Sequence, residues 1–275
     1  MIGRRASKQA DGTAILRAAP TLLQPMPLNY ARRLTGRDRT AAADRHLGCA
    51  LAFVAGAANA GGFLAVRQYT SHMTGVVSAM ADGLVLGHLD LALSGAGALL
   101  CFVLGAACSA VMINFARRRK LHSEYAMPLL FEAALLIGFG LLGARLSKVQ
   151  GLFVPATVML LCFIMGLQNA LITKLSRAEI RTTHLTGMIT DIGIELGKLF
   201  YWNRAGHQAF AAVQADRPRL RLLMTLVAFF FAGGVLGALG FKHAGYVSTV
   251  PLALLLVALA SVPAMDDLAA LTDRD

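Results

Sequence analysis

Six apolar stretches, each about as long as a bilayer is thick, constrain this chain more than any other feature. They are Leu47–Val66, Leu91–Ile113, Ala126–Ala144, Leu152–Thr173, Leu222–Phe241 and Ala244–Pro263. About 20 mainly apolar residues in a helix cross roughly 30 Å of hydrocarbon. Five of the six carry no formal charge, and the third carries one, Glu132. Backbone groups have no water to bond inside a membrane, so each stretch is expected to be helical. The expected fold is therefore all-α: a polytopic membrane helical bundle. With 15% charged residues and a mean hydropathy of +0.60, the composition excludes an ordinary soluble enzyme.

Two further segments are helical in pattern but short and polar. Met73–Gly87 contains Asp82, and Thr186–Phe200 contains Asp191, Glu195 and Lys198. Whether they cross decides the topology. If neither does, 22 of the 26 Lys/Arg fall on one side, leaving Arg67, Arg145, Lys148 and Lys242 opposite. If both do, the 117–120 run and the 174–181 cluster change sides, and the division becomes 17 against nine. Lys/Arg bias in short loops is the stronger orientation rule, so six spans with two polar half-helices is the expected count, and eight spans the alternative. Both termini then lie in the cytoplasm.

The net charge of +11 is concentrated at the start, where residues 1–46 hold nine Lys/Arg against three acids. These residues read as a disordered basic cytoplasmic arm, without a secretory signal, and residues 266–275 as a short acidic tail. The basic residues flank apolar runs, as topology determinants do, so no nucleic-acid partner is expected. Cys49, Cys101, Cys108 and Cys162 show no metal or redox spacing, and no cofactor or metal site is expected.

The chain also repeats itself. Gly56-Ala57-Ala58-Asn59-Ala60 has a counterpart in Gly166-Leu167-Gln168-Asn169-Ala170, and His72-Met73-Thr74-Gly75 in His184-Leu185-Thr186-Gly187. The Asn-to-His spacing is 13 in the first copy and 15 in the second. Each copy (47–150 and 151–265) reads as span, polar half-helix, span, span. Three spans is an odd number, so the second copy would sit upside down relative to the first. Inverted repeats with broken helices are the arrangement of many secondary transporters.

The 166–170 motif, Arg181-Thr182-Thr183-His184-Leu185-Thr186-Gly187 followed by Asp191, and His72–Gly75 together resemble the YoaK family of uncharacterised bacterial inner-membrane proteins. The resemblance spans roughly residues 46–265. In the first copy Val76 follows Thr74-Gly75 where Asn is usual. The resemblance implies a multi-pass protein of the bacterial inner membrane and no established activity.

The candidate polar pathway comprises Asn59, His72, Thr74, Gly75, Asp82, Glu132, Asn169, His184, Thr186, Gly187, Asp191 and Glu195. Ionisable groups in spans are costly and usually face a bundle interior. Glu132 reads either as a proton or cation carrier or as a structural carboxylate paired with the 117–120 run. Asp191 and Glu195 share a helix face. They read as a relay or as the solvated stripe of a surface helix, with Lys198 compensating part of their charge. Asp82 lies at a mirrored but not identical depth. The two His-x-Thr-Gly turns read as plain N-caps, or as half-helix starts where Thr caps and Gly admits a ligand to the backbone. Asn59 and Asn169 read as interhelical hydrogen-bonders or as lining of a polar path.

Three functions follow. The first is a transporter of a small solute or ion, with the lipid bilayer as its setting and a site between the half-helices. The second is a membrane scaffold, sensor or assembly partner that docks through the basic arm and the 198–221 loop. An intramembrane enzyme has no nucleophile–base pair to support it, so no enzymatic activity is expected. Nothing in the residues sets an oligomeric state.

Overall fold

The computed structural model describes residues 41–121, 123–146, 150–175, 185–201 and 213–272, and all regular structure among them is helical. The elements are α1 (Ala41–Val66), α2 (Met73–Leu86), α3 (Leu89–Arg118), α4 (Ala126–Leu146), α5 (Gln150–Leu175), α6 (Leu185–Phe200), α7 (Arg217–Ala244) and α8 (Thr249–Thr272). A 3-10 turn, Gly245–Ser248, joins the last two. Five stretches are long and apolar enough to cross a membrane: Ala43–Val66, Leu89–Arg118, Ala126–Ala144, Pro155–Leu175 and Arg217–Ser261. The last, at 45 residues, contains the 3-10 turn, where Gly245 takes φ 59° and breaks the helix into α7 and α8. The chain is thus a multi-pass membrane protein by length and composition.

The two short polar segments form helices close to the expected limits. α2 and α6, of 14 and 16 residues, are roughly 21 and 24 Å long, short of the hydrocarbon thickness. Gly87 ends α2 in the left-handed conformation at φ 79°, which glycine adopts without a Cβ clash. α3 then returns along α2, with Gly83 against Leu91 and Ala92, and Gly95 against Met80. The N-cap of α3 is His88, and Asp90 falls in the first turn, where a negative charge suits the dipole. Several boundaries lie beyond the apolar stretches. α3 ends at Arg118 and α7 begins at Arg217, while α1 begins at Ala41 and α8 runs through Asp266 and Asp267 to Thr272, both of these last extensions being rich in alanine.

Glycines set the helix contacts. Helices come closest where a missing side chain lets backbones touch, the main means of association once lipid removes the hydrophobic drive. A Cβ on Gly56 would run into the Phe230 carbonyl of α7, and one on Gly233 into the Phe53 carbonyl of α1. Further along, Gly237 meets Ala57 and Gly61 meets Phe241, so α1 and α7 run parallel. In the same way Gly105 of α3 meets the Phe163 carbonyl of α5, Gly166 meets Phe102, and Gly97 faces Met159. Hence α3 and α5 also run parallel. These two pairs make the most extensive contacts in the molecule.

The remaining directions come from three other contacts. Gln168 Nε2 of α5 donates to the Leu51 carbonyl of α1 at 3.4 Å, and Gly62 faces Leu161, so α1 and α5 are antiparallel. α4 and α8 are antiparallel as well, with Gly140 against Thr249 and Gly143 against Tyr246. One end of the bundle therefore gathers Ala43, Tyr125, Leu175 and Leu223 in its core. The opposite end gathers Val66, Phe139 and Phe241, with Tyr246 packed edge-on to both rings at 5.7 and 6.2 Å. Gly138, by contrast, faces open space.

Candidate functional site

The segment after α1 folds back on it. Arg67, at φ 57°, turns the chain, and Tyr69 stacks on Phe63 at 4.5 Å. Ser71 Oγ then donates to Asn59 Oδ1 at 2.9 Å. α1 continues seven residues past Asn59, about 10 Å, so residues 67–72 descend by that distance from the helix end. α2 starts there, partway along the bundle. Its N-cap is His72, which makes no side-chain cap bond. Thr74, expected as a cap, is instead exposed. The His72 ring lies over Gly75, so a Cβ there would push the imidazole aside.

The start of α6 reaches the same place. Leu185 and Thr186 join Asn59, Tyr69, Ser71, His72 and Phe230 around a cavity of about 310 Å³. That is room for several waters, at about 30 Å³ each. Phe230 is at the middle of α7 and level with Gly56, so the cavity lies near mid-depth. No carboxylate, lysine or arginine lines it among the described residues. Of the sequence candidates, the structure brings together Asn59, His72 and Thr186. Gly75 and Gly187 adjoin them, and a Cβ on Gly187 would meet nothing within 4 Å. His184 lies outside the described residues.

The acidic candidates sit elsewhere. Asp82 is exposed on the far half of α2. Asp191 pairs with Arg219 Nη2 at 2.9 Å. Glu195, only 3% exposed, accepts from Lys198 Nζ at 2.8 Å and from the Asp216 backbone N–H at 2.7 Å. The Lys198 hydrogen bond, with the Asp216 N–H behind it, holds the Glu195 carboxyl below the usual carboxylate range. Asp216 is itself the N-cap of α7, accepting from the Arg219 N–H at 3.0 Å. These acids thus fasten α6 to the start of α7. Asn169 is half-buried on α5, with Thr173 Oγ1 donating to its carbonyl at 2.8 Å.

Glu132 is fully buried on the α4 face that also carries Tyr125, Leu129 and Leu136. Neither carboxylate oxygen has a hydrogen-bond partner among the described residues. The pairing with Arg117 that the sequence suggested does not form. Arg117 instead binds Glu124 Oε2 at 3.0 Å and Tyr125 Oη at 2.7 Å, both on the segment entering α4 and closer to it in sequence. Sequence reasoning missed Tyr69, Ser71 and Phe230 in the cavity. Ser71 adjoins the His-x-Thr-Gly motif and was within reach of it, whereas Phe230 carries no local signal.

The model of a family described as Protein of unknown function (DUF1275) matches residues 47–262. The chain belongs to this family. No curated protein and no solved structure matches it. DUF1275 membership agrees with the resemblance carried by the 166–170 and 181–187 motifs, and it assigns no activity.

Proposed function

We propose that this DUF1275 protein transports a small solute or ion through the bacterial inner membrane, and that the cargo binds in the 310 Å³ cavity. The observation that carries the reading is the convergence of both half-helix starts, His72 and Thr186, on one mid-depth cavity. Half-helices that meet near the bilayer centre leave backbone N–H groups and side-chain hydroxyls free to take a substrate in place of water.

Two further observations support six spans in an inverted pair of repeats. Equating Phe53 with Phe163, Gly56 with Gly166, Phe102 with Phe230 and Gly105 with Gly233 maps the Gly56–Phe230 contact onto Gly166–Phe102. It also maps Gly233–Phe53 onto Gly105–Phe163. The equated helices α1 and α5 run antiparallel, as do α4 and α8, which an odd number of spans per repeat requires. The basic residues agree. Arg45, Arg117–Lys120, Lys174, Lys198, Arg217, Arg219 and Arg221 share one end of the bundle, against Arg67, Arg145 and Lys242 at the other. That bias supports a cytoplasmic side for the first end, and for both termini with it.

The test is solute entry into proteoliposomes, followed by swelling in potassium chloride, sodium acetate, ammonium chloride or glycerol. At least one solute is expected to enter faster than into protein-free vesicles. Asn59→Ala and His72→Ala are each expected to slow it tenfold or more. Equal swelling with and without protein for every solute, or unchanged rates in both variants, would end the proposal.

A further inference from the structure

A second cavity, of about 270 Å³, opens at the junction of α6 and α7. Lys198, Leu199 and Tyr201 line it from the end of α6, and Val213, Gln214 and Arg217 from the start of α7 and the residues before it. The two helices run antiparallel, since Asp191 meets Arg219 and Glu195 meets the Asp216 N–H. Both therefore lead from the mid-depth cavity, at Thr186 and Phe230, to this one. Thr186 to Lys198 is about 18 Å of helix rise, and Phe230 to Arg217 about 20 Å. Hydrocarbon ends about 15 Å from mid-depth and the headgroup layer at about 20–22 Å. The second cavity thus lies level with the lipid headgroups, at the basic end of the bundle.

We infer that this cavity binds the phosphate of an anionic phospholipid, held by Arg217 and Lys198. The Arg217 guanidinium makes no hydrogen bond or ion pair among the described residues, so all its N–H donors are uncommitted. Lys198 gives one ammonium N–H to Glu195 Oε1 at 2.8 Å and keeps two. The Tyr201 hydroxyl and the Gln214 amide, also without partners among the described residues, add neutral donors to the wall. The nearby acids are turned to other groups. Glu195 accepts from Lys198 and the Asp216 N–H, Asp191 pairs with Arg219, and the Asp216 side chain caps α7 on the Arg219 N–H. No carboxylate lines the cavity among the described residues.

Phosphate suits both the donors and the place. Arginine meets two phosphate oxygens with parallel N–H groups, and lysine adds a compact charge. Basic pockets between helices at this depth are where headgroups of anionic lipids bind. The surface beside the cavity fits the rest of a lipid. Leu199, Phe200 and Tyr201 are 41, 81 and 59% exposed, and they offer apolar area to acyl chains and aromatic rings to the interface. Free phosphate would leave that surface unused.

This inference does not depend on solute transport, and its test needs no cargo. Native mass spectrometry of the full-length protein should show phosphatidylglycerol bound more tightly than the zwitterionic phosphatidylcholine. Arg217→Gln should weaken phosphatidylglycerol about tenfold, the loss of one hydrogen-bonded charge. Arg119→Gln, at the same end of the bundle but outside the cavity, should weaken it less than about twofold. Inorganic phosphate at the concentration of the lipid should not displace it. Phosphatidylglycerol with a photoreactive headgroup should label the wild-type chain within residues 198–201 or 213–217, as located by peptide mass mapping. This second measurement keeps the test valid if a variant fails to fold. Equal affinity for the two lipids, an Arg217→Gln variant no weaker than Arg119→Gln, displacement by inorganic phosphate, or labelling only elsewhere would each overturn the site.

Discussion

Replacing Gly233 with alanine tests the reasoning about helix packing most directly. The added Cβ would collide with the Phe53 carbonyl carbon and oxygen, which are backbone and cannot rotate away as the end of a flexible side chain could. The only relief is to move α7 away from α1, and the contacts of Gly56 with Phe230 and Gly237 with Ala57 would open with it. Overpacking a close contact costs about 1–3 kcal/mol. This value should lie at the upper end, because lipid provides no hydrophobic drive to restore the contact. At about 1.4 kcal/mol per tenfold, 3 kcal/mol shifts the folding equilibrium by roughly 150-fold. Reversible unfolding in bicelles would measure it. Gly56→Ala, Gly105→Ala and Gly166→Ala should cost similar amounts, since each meets a carbonyl in the same way. Gly138→Ala and Gly187→Ala meet nothing within 4 Å and should change stability by less than about 0.5 kcal/mol. If Gly233→Ala were as stable as the parent, or Gly138→Ala equally damaging, the account of the interface would be wrong.

Phe139→Ala removes a ring that is 1% exposed and packed on Phe241 and Tyr246, and unfolding should show a loss of about 3–5 kcal/mol. The Glu195 carboxyl is held below its unfolded range, so its contribution is complete above the unfolded value and is lost as pH falls through the folded one. Hydrogen exchange over residues 195–201 and 213–219 should accelerate on acidification into that window. Glu195→Gln should already exchange fast at neutral pH and respond less to acid. Asp191→Asn breaks a half-exposed ion pair with Arg219, and unfolding should register no more than about 1 kcal/mol. Arg118→Cys and Lys242→Cys should react with a membrane-impermeant thiol reagent from opposite faces of the membrane; reaction from one face would refute the helix directions.

The two short segments show how far local pattern alone reaches. Met73–Gly87 and Thr186–Phe200 are too short and polar to resemble their neighbours, and both are separate helices within a residue of those limits. The candidate site was harder to read. Asn59, His72 and Thr186 carried a signal because each belongs to a repeated motif. Phe230 carried none, since one phenylalanine among Phe229, Phe230 and Phe231 cannot show which neighbour faces a cavity. Asp191 and Glu195 looked like pathway residues because helix periodicity places them on one face. It cannot say that Arg219 and the Asp216 N–H wait opposite that face.

The sequence by itself determined the solvent and the secondary structure. Hydrocarbon forbids unpaired backbone groups, so long apolar stretches could only be helices, and helix limits followed local chemistry such as Gly87 and Asp216. Only the tertiary structure decided which helices run parallel, which glycines touch carbonyls, and that the buried Glu132 carboxylate has no hydrogen-bond partner among the described residues. Those facts depend on contacts between residues far apart in the chain. Within lipid, such contacts come from close backbone packing, which composition and periodicity do not encode.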